Sequence, residues 1–331
     1  MRPNDYFVEL FKELKPDLVF NCSHIHGEAG ELPLKIAKRM GIPTAGFVFS
    51  WDNLTSRSRI FVPYDHFLVW HHFMKKQLLG IYRDIRPEQI SITGTPQFDF
   101  HFKPQYLLSR EELCRRIGID PQRPFILYTT GVDQHFPDEH RTVQLVIDLL
   151  NKIKVGPKPQ LVVRTYVKGT SAEMKAIAAK KLPDVVFPPV MWEEKWFTPM
   201  YEDLEIYSSL VRHCAMNINA ASTVTLEAFL FNKPVINLGW DPPGSQLPWC
   251  FRYWRHIEFD HFWPVATSGG TMVAKSEQDM EQMLIQGLTR PESLKPAQDK
   301  FMGDMFHGTA DGNAGRRVAE KLLELALVGR K

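Results

Sequence analysis

Short apolar runs alternate with amphipathic segments along most of this chain. Continuous apolar runs bounded by turn residues are typical of buried strands, whereas apolar positions that recur with the period of a helix predict helices. Because buried strands alternate with helices, the first part of the chain is expected to form a parallel sheet. There we predict strands at 17–22, 44–50, 66–70 and 89–93, and helices at 31–40 and 74–81.

A second series of the same kind begins at residue 125. The proline-rich segment 94–124 separates the two series and is the predicted linker, and a final helix at 313–327 is expected to return toward the first series. The strands predicted in the second series are 125–130, 161–164, 185–187, 215–219, 235–238 and 271–274, and the helices are 139–152, 172–182, 203–213 and 277–289.

The two series predict an α/β fold class with two Rossmann-like, doubly wound domains that face each other across a cleft. A length of 331 residues agrees with this, since domains of about 100–200 residues are usual. The expected domains are residues 1–106 and 107–331, the second of which ends in the C-terminal helix. Ligands of such sheets bind at the carboxyl ends of the strands, so the loops there carry the candidate chemistry.

The net charge and the cysteine content argue against several classes of function. The formal net charge is +2, which gives no reason to expect nucleic-acid binding. Four scattered cysteines without a Cys-x-x-Cys pair argue against a disulfide framework and a zinc site, and they fit a reducing cytosol. The sequence has no signal-like start and no apolar stretch near the roughly 18 residues of a membrane span, so we expect a soluble, cytoplasmic protein.

The most informative run is Ala-Ser-Thr-Val-Thr-Leu-Glu-Ala at 221–228, which lies between two predicted strands. Ser222 and Thr223 open a predicted helix, and a helix N-terminus offers backbone N–H groups that suit a phosphate. Glu227 lies on the same helical face as Thr223, where its carboxylate can accept the hydroxyls of a ribose. The alternative is that Ser222 only caps the helix and Glu227 is solvated.

Three other loops of the second series carry candidate donor-side residues. Thr130 and Gly131 follow the first strand and can bring backbone N–H groups to a phosphate, although a plain turn explains them equally well. Arg164 ends the second strand and is a candidate catalytic residue that stabilises a leaving diphosphate, with a surface ion pair as the alternative. Val190 lies in the run Pro-Pro-Val-Met-Trp at 188–192, which is either a rigid wall for a nucleotide base or a buried loop.

The first series carries the candidate acceptor-side residues. Asp52 is the candidate general base, with Asn53 beside it in the run Ser-Trp-Asp-Asn-Leu-Thr-Ser at 50–56, and an Asx-type turn is the alternative. His24 and Glu28 belong to the run His-Ile-His-Gly-Glu. We assign them to the cleft rather than to a metal, because two histidines at this spacing on a loop rarely form a metal site.

Aromatic and cationic residues are interleaved in the run Trp-Cys-Phe-Arg-Tyr-Trp-Arg at 249–255. This composition suits contact with a membrane surface or with a lipid-linked acceptor. A packed insertion is the alternative. Peripheral membrane association is therefore one of the expectations from the sequence.

Four motifs together resemble those of GT-B-type bacterial glycosyltransferases, in particular the proteins related to CDP-glycerol glycerophosphotransferases and non-hydrolysing UDP-GlcNAc 2-epimerases. The resemblance covers most of the chain from about residue 17 and rests on the order of the motifs. It implies a GT-B fold whose first domain is truncated at its N-terminus, since the usual opening strand and glycine loop are not found. The motifs are 50–56, Gly-Thr-Pro-Gln-Phe-Asp at 94–99, 221–227 with Lys-Pro-Val at 233–235, and Asp-Gly-Asn at 311–313.

The resemblance implies a metal-independent glycosyltransferase that needs no cofactor. Its partners would be a nucleotide-diphosphate sugar and a saccharide or lipid-linked acceptor, in surface polysaccharide or glycolipid synthesis. In that family the Ser/Thr helix start holds the donor diphosphate and the following Glu binds the ribose, which corresponds to Ser222, Thr223 and Glu227 here. Where relatives carry a His-Pro-Lys/Asn element, this chain has Arg-Thr-Tyr-Val-Lys at 164–168, which departs from phosphotransfer chemistry of the CDP-glycerol type.

Two alternative functions stay open at this point. One is a non-catalytic nucleotide-sugar-binding subunit of a polysaccharide-assembly complex. The other is a UDP-GlcNAc 2-epimerase-like enzyme, for which Asp52, Asp133 and Glu139 are the acid/base candidates.

Overall fold

The structure of the chain is a computed structural model that describes residues 3–23, 28–56, 59–193, 195 and 198–328. The chain is divided into two units, each with its own packed interior. Unit 1 comprises Met1–Asp99 and Gly303–Lys331, and unit 2 comprises Phe100–Met302. The division falls inside the predicted linker, before the expected boundary after residue 106, and assigns the end of the chain to unit 1.

Parallel strands form the central sheet of each unit. Within the described ranges, unit 1 has a sheet of four strands in the order β1-β2-β3-β4, and unit 2 has one of six in the order β12-β11-β10-β5-β6-β7. The strands are β1 Val19–Asn21, β2 Thr44–Phe47, β3 His66–Val69, β4 Ile90–Ile92, β5 Phe125–Thr129, β6 Gln160–Arg164, β7 Val185–Val186, β8 Trp192–Glu193, β9 Thr198–Pro199, β10 Met216–Asn219, β11 Val235–Leu238 and β12 Met272–Ala274. The short β8 and β9 pair with each other in antiparallel fashion.

The helices occupy the segments between these strands. They are α1 Pro3–Leu14, α2 Glu28–Arg39, α3 Asn53–Ser56, α4 His72–Ile81, α5 Pro96–Asp99, α6 Arg110–Ile117, α7 Glu139–Lys152, α8 Ala172–Ala179, α9 Tyr201–His213, α10 Val224–Phe229, α11 Tyr253–Ile257, α12 Trp263–Ala266, α13 Glu277–Thr289, α14 Lys295–Phe306 and α15 Ala314–Val328. Short 3₁₀ turns lie at Pro87–Gln89, Phe100–Phe102, Pro104–Tyr106, Trp249–Phe251 and Pro291–Leu294.

The core of unit 2 lies between its sheet and the apolar faces of its helices. Strands β5, β6, β10 and β11 are buried along their whole length. Helix α7 presents Val143, Val146 and Leu150, spaced by one helical turn, to the same buried cluster as Ile126 and Val163 of the sheet. Continuous apolar strands therefore fix the sheet, and period-matched helices cover it.

The predicted linker is not an irregular segment, because it contains α6. Ser109 caps this helix through its hydroxyl, which accepts the N–H of Glu112, and Gly118 ends it in the left-handed region at φ +76°. Leu113 and Cys114 are fully buried. The proline content of the segment marks its turns, but it does not exclude a packed helix.

Two of the sequence motifs meet in unit 1 and have a structural role there. The carboxylate of Asp99 accepts the N–H of Ala314 at 3.0 Å and the N–H of Gly315 at 2.8 Å, and it thereby caps the N-terminus of α15. Arg317 donates from Nε to the carbonyl oxygen of Thr93 at 2.7 Å. These bonds tie the end of the chain to the loop after β4, which agrees with the expectation that the final helix returns to the first series.

Replacing Asp99 by alanine is expected to lower the free energy of unfolding by about 1–2 kcal/mol, because two backbone donors at the start of α15 lose a charged acceptor. Urea unfolding measures this change. The exposed Asp84 of the same unit supplies the control, since its replacement by alanine is expected to change stability by less than about 0.5 kcal/mol. Equal effects of the two substitutions would contradict the assigned cap.

Candidate functional site

Three neighbouring strands of unit 2, β10, β5 and β6, end at aligned residues, and the adjacent β11 ends one residue later. The register aligns Asn237 with Asn219, Asn219 with Thr129, and Thr129 with Arg164. The chain passes from β5 to β6 on one side and later places β10 on the other side of β5, so the β5–β10 junction is a topological switch point. Open parallel sheets bind their ligands at such points.

The predicted donor-side residues follow these strand ends. Thr130 and Gly131 follow β5, Arg164 ends β6, and Ser222 and Thr223 follow β10. They are all partly exposed except Arg164, which is 7% exposed. The structure thus brings the loops predicted for donor binding to one edge of one sheet.

A buried amide network holds the turn after β10. The side-chain oxygen of Asn219 accepts the N–H of Ser222 at 2.9 Å and the amide of Asn237 at 3.0 Å. The amide of Asn219 donates to the oxygen of Asn217 at 2.7 Å, and all three asparagines are fully buried. Ala221 adopts φ +45° inside this turn, a backbone conformation that costs free energy for a residue with a Cβ and is retained here by these bonds.

The sequence itself carries a signal for this network. Asn217 and Asn219 alternate with Met216 and Ile218, so two amides lie on one face of a central strand. Amides at buried positions require partners, and a second buried strand supplies one in Asn237. Two polar residues at period two in a central strand therefore indicate a polar contact between neighbouring strands.

The start of α10 is already partly bonded within the protein. Asn219 occupies the N–H of Ser222, and the hydroxyl of Ser222 accepts the N–H of Val224 at 3.3 Å. The expectation that this helix start offers free N–H groups is therefore wrong for Ser222 and Val224.

Glu227 is buried rather than solvated. Its side chain is 11% exposed, and Oε2 lies 2.7 Å from Nε2 of His101. Nδ1 of His101 lies 3.1 Å from the hydroxyl of Ser208, and the hydroxyl of Tyr207 also bonds to Glu227. The sequence did not indicate His101, which lies between two aromatic residues in the run Phe-Asp-Phe-His-Phe at 98–102.

Arg164 forms a buried ion pair with Asp203. Nη2 of Arg164 lies 2.5 Å from Oδ2 of Asp203, and Nη1 donates to the carbonyl oxygen of Pro189 at 3.0 Å. The same carboxylate accepts the N–H of Met191 and the indole N–H of Trp192, both at 2.9 Å. The pair is therefore not at the surface, and it anchors the loop that carries the partly exposed Val190.

Thr130 and Gly131 are held by the residues around them. The hydroxyl of Thr130 accepts the N–H of Tyr166 at 3.0 Å, and the N–H of Gly131 donates to Oε2 of Glu139 at 2.9 Å. A Cβ at Gly131 would collide with the ring of Phe136. Glu139 also bonds to the hydroxyl of Tyr128, and burial raises the pKa of the Glu139 carboxyl to about 8.

The candidate acceptor-side residues lie in unit 1, where the turn after β2 involves two of them. Oδ2 of Asp52 accepts the hydroxyl of Ser56 at 2.7 Å, and Asp52 is partly exposed. Asn53 is 2% exposed, and its oxygen accepts the N–H of Ser50, three residues earlier, at 2.8 Å, so the turn is closed by a bond that runs back along the chain and not by the expected Asx-type turn. His24 lies outside the described residues, and Glu28 begins α2 with its side chain outside the described part.

The aromatic and cationic run at 249–255 is packed in part. Tyr253 is fully buried, and its hydroxyl donates to the carbonyl oxygen of Pro137 at 3.1 Å. Trp249 is 66% exposed, with the guanidinium of Arg255 3.7 Å from its ring centroid. Among the residues that the structure describes, no helix combines the length and apolarity needed to cross a membrane.

No family model and no curated protein matches this sequence. Solved structures do match it. UDP-GlcNAc 2-epimerase from Neisseria meningitidis bound to UDP-GlcNAc is similar at a TM-score of 0.59 and 14% identity, over 98% of this chain and 84% of that one.

Two further structures are similar at lower TM-scores. A glycosyltransferase from Rickettsia africae matches at a TM-score of 0.55 and 12% identity, over 99% of this chain and 80% of that one. The wall teichoic acid polymerase TagF matches at a TM-score of 0.52 and 9% identity, over 100% of this chain and 96% of that one. The predicted α/β class with two Rossmann-like units is confirmed, and the chain shares its fold with these GT-B-like epimerase, glycosyltransferase and polymerase structures.

Proposed function

We propose that this chain is a glycosyltransferase that moves a sugar from a nucleotide-diphosphate donor to a saccharide or lipid-linked acceptor in surface polysaccharide or glycolipid synthesis. The observation that carries the proposal is the alignment of the β10, β5 and β6 ends at the switch point of unit 2, with the end of β11 one residue further on. A switch point is where α/β sheets bind nucleotides. The similar epimerase structure, which is bound to UDP-GlcNAc, supports a nucleotide sugar as the ligand.

In this proposal the loops at the switch point bind the donor. The hydroxyls of Thr130, Ser222 and Thr223 donate to the diphosphate, because the N–H groups of Gly131 and Ser222 are already bonded to Glu139 and Asn219. Glu227, whose side chain is 11% exposed, accepts hydrogen bonds from the ribose hydroxyls.

Arg164 has a positioning role as well as the proposed electrostatic one. Its contacts with Asp203 and Pro189 fix the loop around Val190, whose backbone would face the nucleotide base. The guanidinium adds positive charge at the end of β6, where a leaving diphosphate needs it, although the pairing with Asp203 reduces its field.

On the acceptor side, Asp52 is the proposed general base. It would take the proton from the acceptor hydroxyl as that oxygen attacks the anomeric carbon, and the nucleoside diphosphate would leave with the electron pair of the broken bond. Asn53 fixes the turn that presents Asp52, and His24 and Glu28 are proposed to contact the acceptor. The proposal includes no metal ion and no cofactor.

Replacing Glu227 by glutamine tests the donor site. We expect the affinity for the tightest of UDP, GDP, CDP and TDP to fall roughly tenfold or more, because a charge-assisted pair of hydrogen bonds is worth about 1.5–3 kcal/mol. Isothermal titration calorimetry measures this affinity. The melting temperature is expected to fall as well, because the buried bond to His101 loses its charge.

The exposed Glu173 of the same unit supplies a matched control, and its replacement by glutamine is expected to leave both quantities unchanged. A lower melting temperature with unchanged nucleotide affinity would assign Glu227 a structural role only. If the unaltered chain binds none of the four nucleotides, the proposed function is wrong.

A UDP-GlcNAc 2-epimerase-like activity is the second candidate, and the similarity to epimerase structures favours it. Both oxygens of Glu139 are bonded to Tyr128 and Gly131, so Asp52 and the partly exposed Asp133 are the stronger acid/base candidates. Exchange of the C2 hydrogen of UDP-GlcNAc with solvent, followed by NMR, distinguishes this reaction from transfer. Donor binding without exchange, transfer or hydrolysis would instead support a non-catalytic binding subunit.

A further inference from the structure

His101 is enclosed in unit 2 between a carboxylate and a hydroxyl. It is 0% exposed, and its two ring nitrogens lie 2.7 Å from Oε2 of Glu227 and 3.1 Å from Oγ of Ser208. The rings of Phe100 and Phe231 lie 4.2 and 5.7 Å from the imidazole, centroid to centroid. Both polar ends of the imidazole are therefore satisfied, and its apolar surroundings fix the ring.

The protons on this chain of groups can be assigned from their chemistry. An ionised carboxylate only accepts hydrogen bonds. Nε2 of His101 therefore carries a hydrogen and donates a hydrogen bond to Glu227. The hydroxyl of Ser208 can donate to Nδ1 or accept from it, so both ring nitrogens have a partner while the N–H of Nε2 points at Glu227.

A second donor acts on the same carboxylate. Burial raises the pKa of Tyr207 well above its usual value of 10, so its hydroxyl stays protonated and donates to Glu227. Two protein donors thus restrain a side chain that otherwise has several rotamers, and only 11% of its surface remains open to a ligand. A carboxylate held in this way loses less conformational entropy when it binds.

We propose that His101 is a positioning residue that holds Glu227 toward the 2′- and 3′-hydroxyls of a ribonucleoside diphosphate donor. This inference rests on the proposed function, and it extends that function by naming the nucleotide class. A deoxyribonucleotide offers fewer hydroxyls to the fixed carboxylate of Glu227, so the carboxylate oxygens accept fewer hydrogen bonds from it. The donor is therefore a ribonucleotide sugar and not a deoxythymidine nucleotide sugar.

The test compares variants of His101 by their preference between two nucleotides. Calorimetry on the full chain gives the affinity for the tightest of UDP, GDP and CDP and for its 2′,3′-dideoxy form. We expect the unaltered chain to prefer the ribonucleotide by roughly tenfold or more, and His101→Phe to reduce that preference to about threefold or less. His101→Gln is expected to retain most of the preference, since its amide nitrogen can occupy the place of Nε2 and donate to Glu227.

Ser209→Ala is the matched control. Ser209 is buried beside Ser208 on α9, but its hydroxyl accepts the N–H of Leu108, whereas the hydrogen bond to His101 is made by Ser208. This variant is expected to lose stability and to keep the full preference for the ribonucleotide. If His101→Phe does not fold, His101→Asn replaces it, because the shorter amide reaches Ser208 but not Glu227.

An unchanged preference in the Phe or Asn variant, together with a lower melting temperature, would reduce His101 to a structural residue and overturn the inference while the proposed function stands. Equal affinities of the unaltered chain for the two nucleotides would also overturn it. Binding of TDP alone among UDP, GDP, CDP and TDP would overturn the inference and leave the proposed function standing. Absence of binding to all four would contradict the proposed function itself, and the inference would fail with it.

Discussion

Replacing Asp203 by asparagine is expected to lower the free energy of unfolding by about 3–5 kcal/mol, because it leaves the buried charge of Arg164 without a counter-charge. The side chains of Arg164 and Asp203 are only 8% and 2% exposed, so solvent screens the loss poorly. The substitution also weakens the bonds that the carboxylate accepts from Met191 and Trp192. Urea unfolding followed by tryptophan fluorescence measures the change.

An exposed ion pair of the same unit provides the comparison. Asp299 lies 2.6 Å from Lys295, but their side chains are 53% and 48% exposed. Replacing Asp299 by asparagine is expected to lower the free energy of unfolding by no more than about 1 kcal/mol, as is usual for surface ion pairs. Similar losses for Asp203→Asn and Asp299→Asn would mean that the Arg164 pair is not desolvated in solution.

The second large effect is a pH dependence that arises from Glu139. Its pKa is about 8 in the folded chain, against a usual value of 4.5, and burial is the main cause. Between those values the unfolded chain releases the proton and the folded chain keeps it, so ionisation favours the unfolded state. This contribution destabilises the fold progressively from about pH 4.5 to pH 8 and stays constant above, by about 4–5 kcal/mol in total.

Glu139→Gln removes this dependence. The amide can accept the N–H of Gly131 and donate to the hydroxyl of Tyr128, so the geometry of the site is retained. We expect the free energy of unfolding of the variant to exceed that of the unaltered chain by an amount that grows from pH 5.5 to pH 8. Parallel pH curves for the two proteins would show that Glu139 is already ionised in the folded state.

The pattern of apolar and polar positions was sufficient to predict the strands of the two parallel sheets. The parallel strands of the described ranges all coincide with predicted strands, and α7 and α13 have the predicted bounds. Helix α6 was missed because five of its eight residues are charged and prolines surround it. Such a helix is formed by tertiary packing of its few apolar residues, which a local pattern does not report.

The candidate site was predicted less completely, for a physical reason. The positions of Ser222 and Arg164 follow from the strand ends, which the apolar pattern locates. Their partners do not, since Asp203 lies 39 residues from Arg164, and His101 lies 126 residues from Glu227. Only the fold brings such groups together, so the sequence locates the loops at the strand ends but does not reveal that Glu227 is buried against His101.

The cap that Asp99 provides has a consequence for the order in which the chain is made. Ala314, whose N–H bonds to Asp99, lies 215 residues further along the chain, and the whole of unit 2 lies between these two residues in the sequence. A nascent chain on the ribosome therefore exposes all of unit 2 before it exposes α15, and closing so long a loop is slow. Domains usually complete their folding in the order of their synthesis. In this chain we expect the reverse, with unit 1 completed last although its sheet is made first.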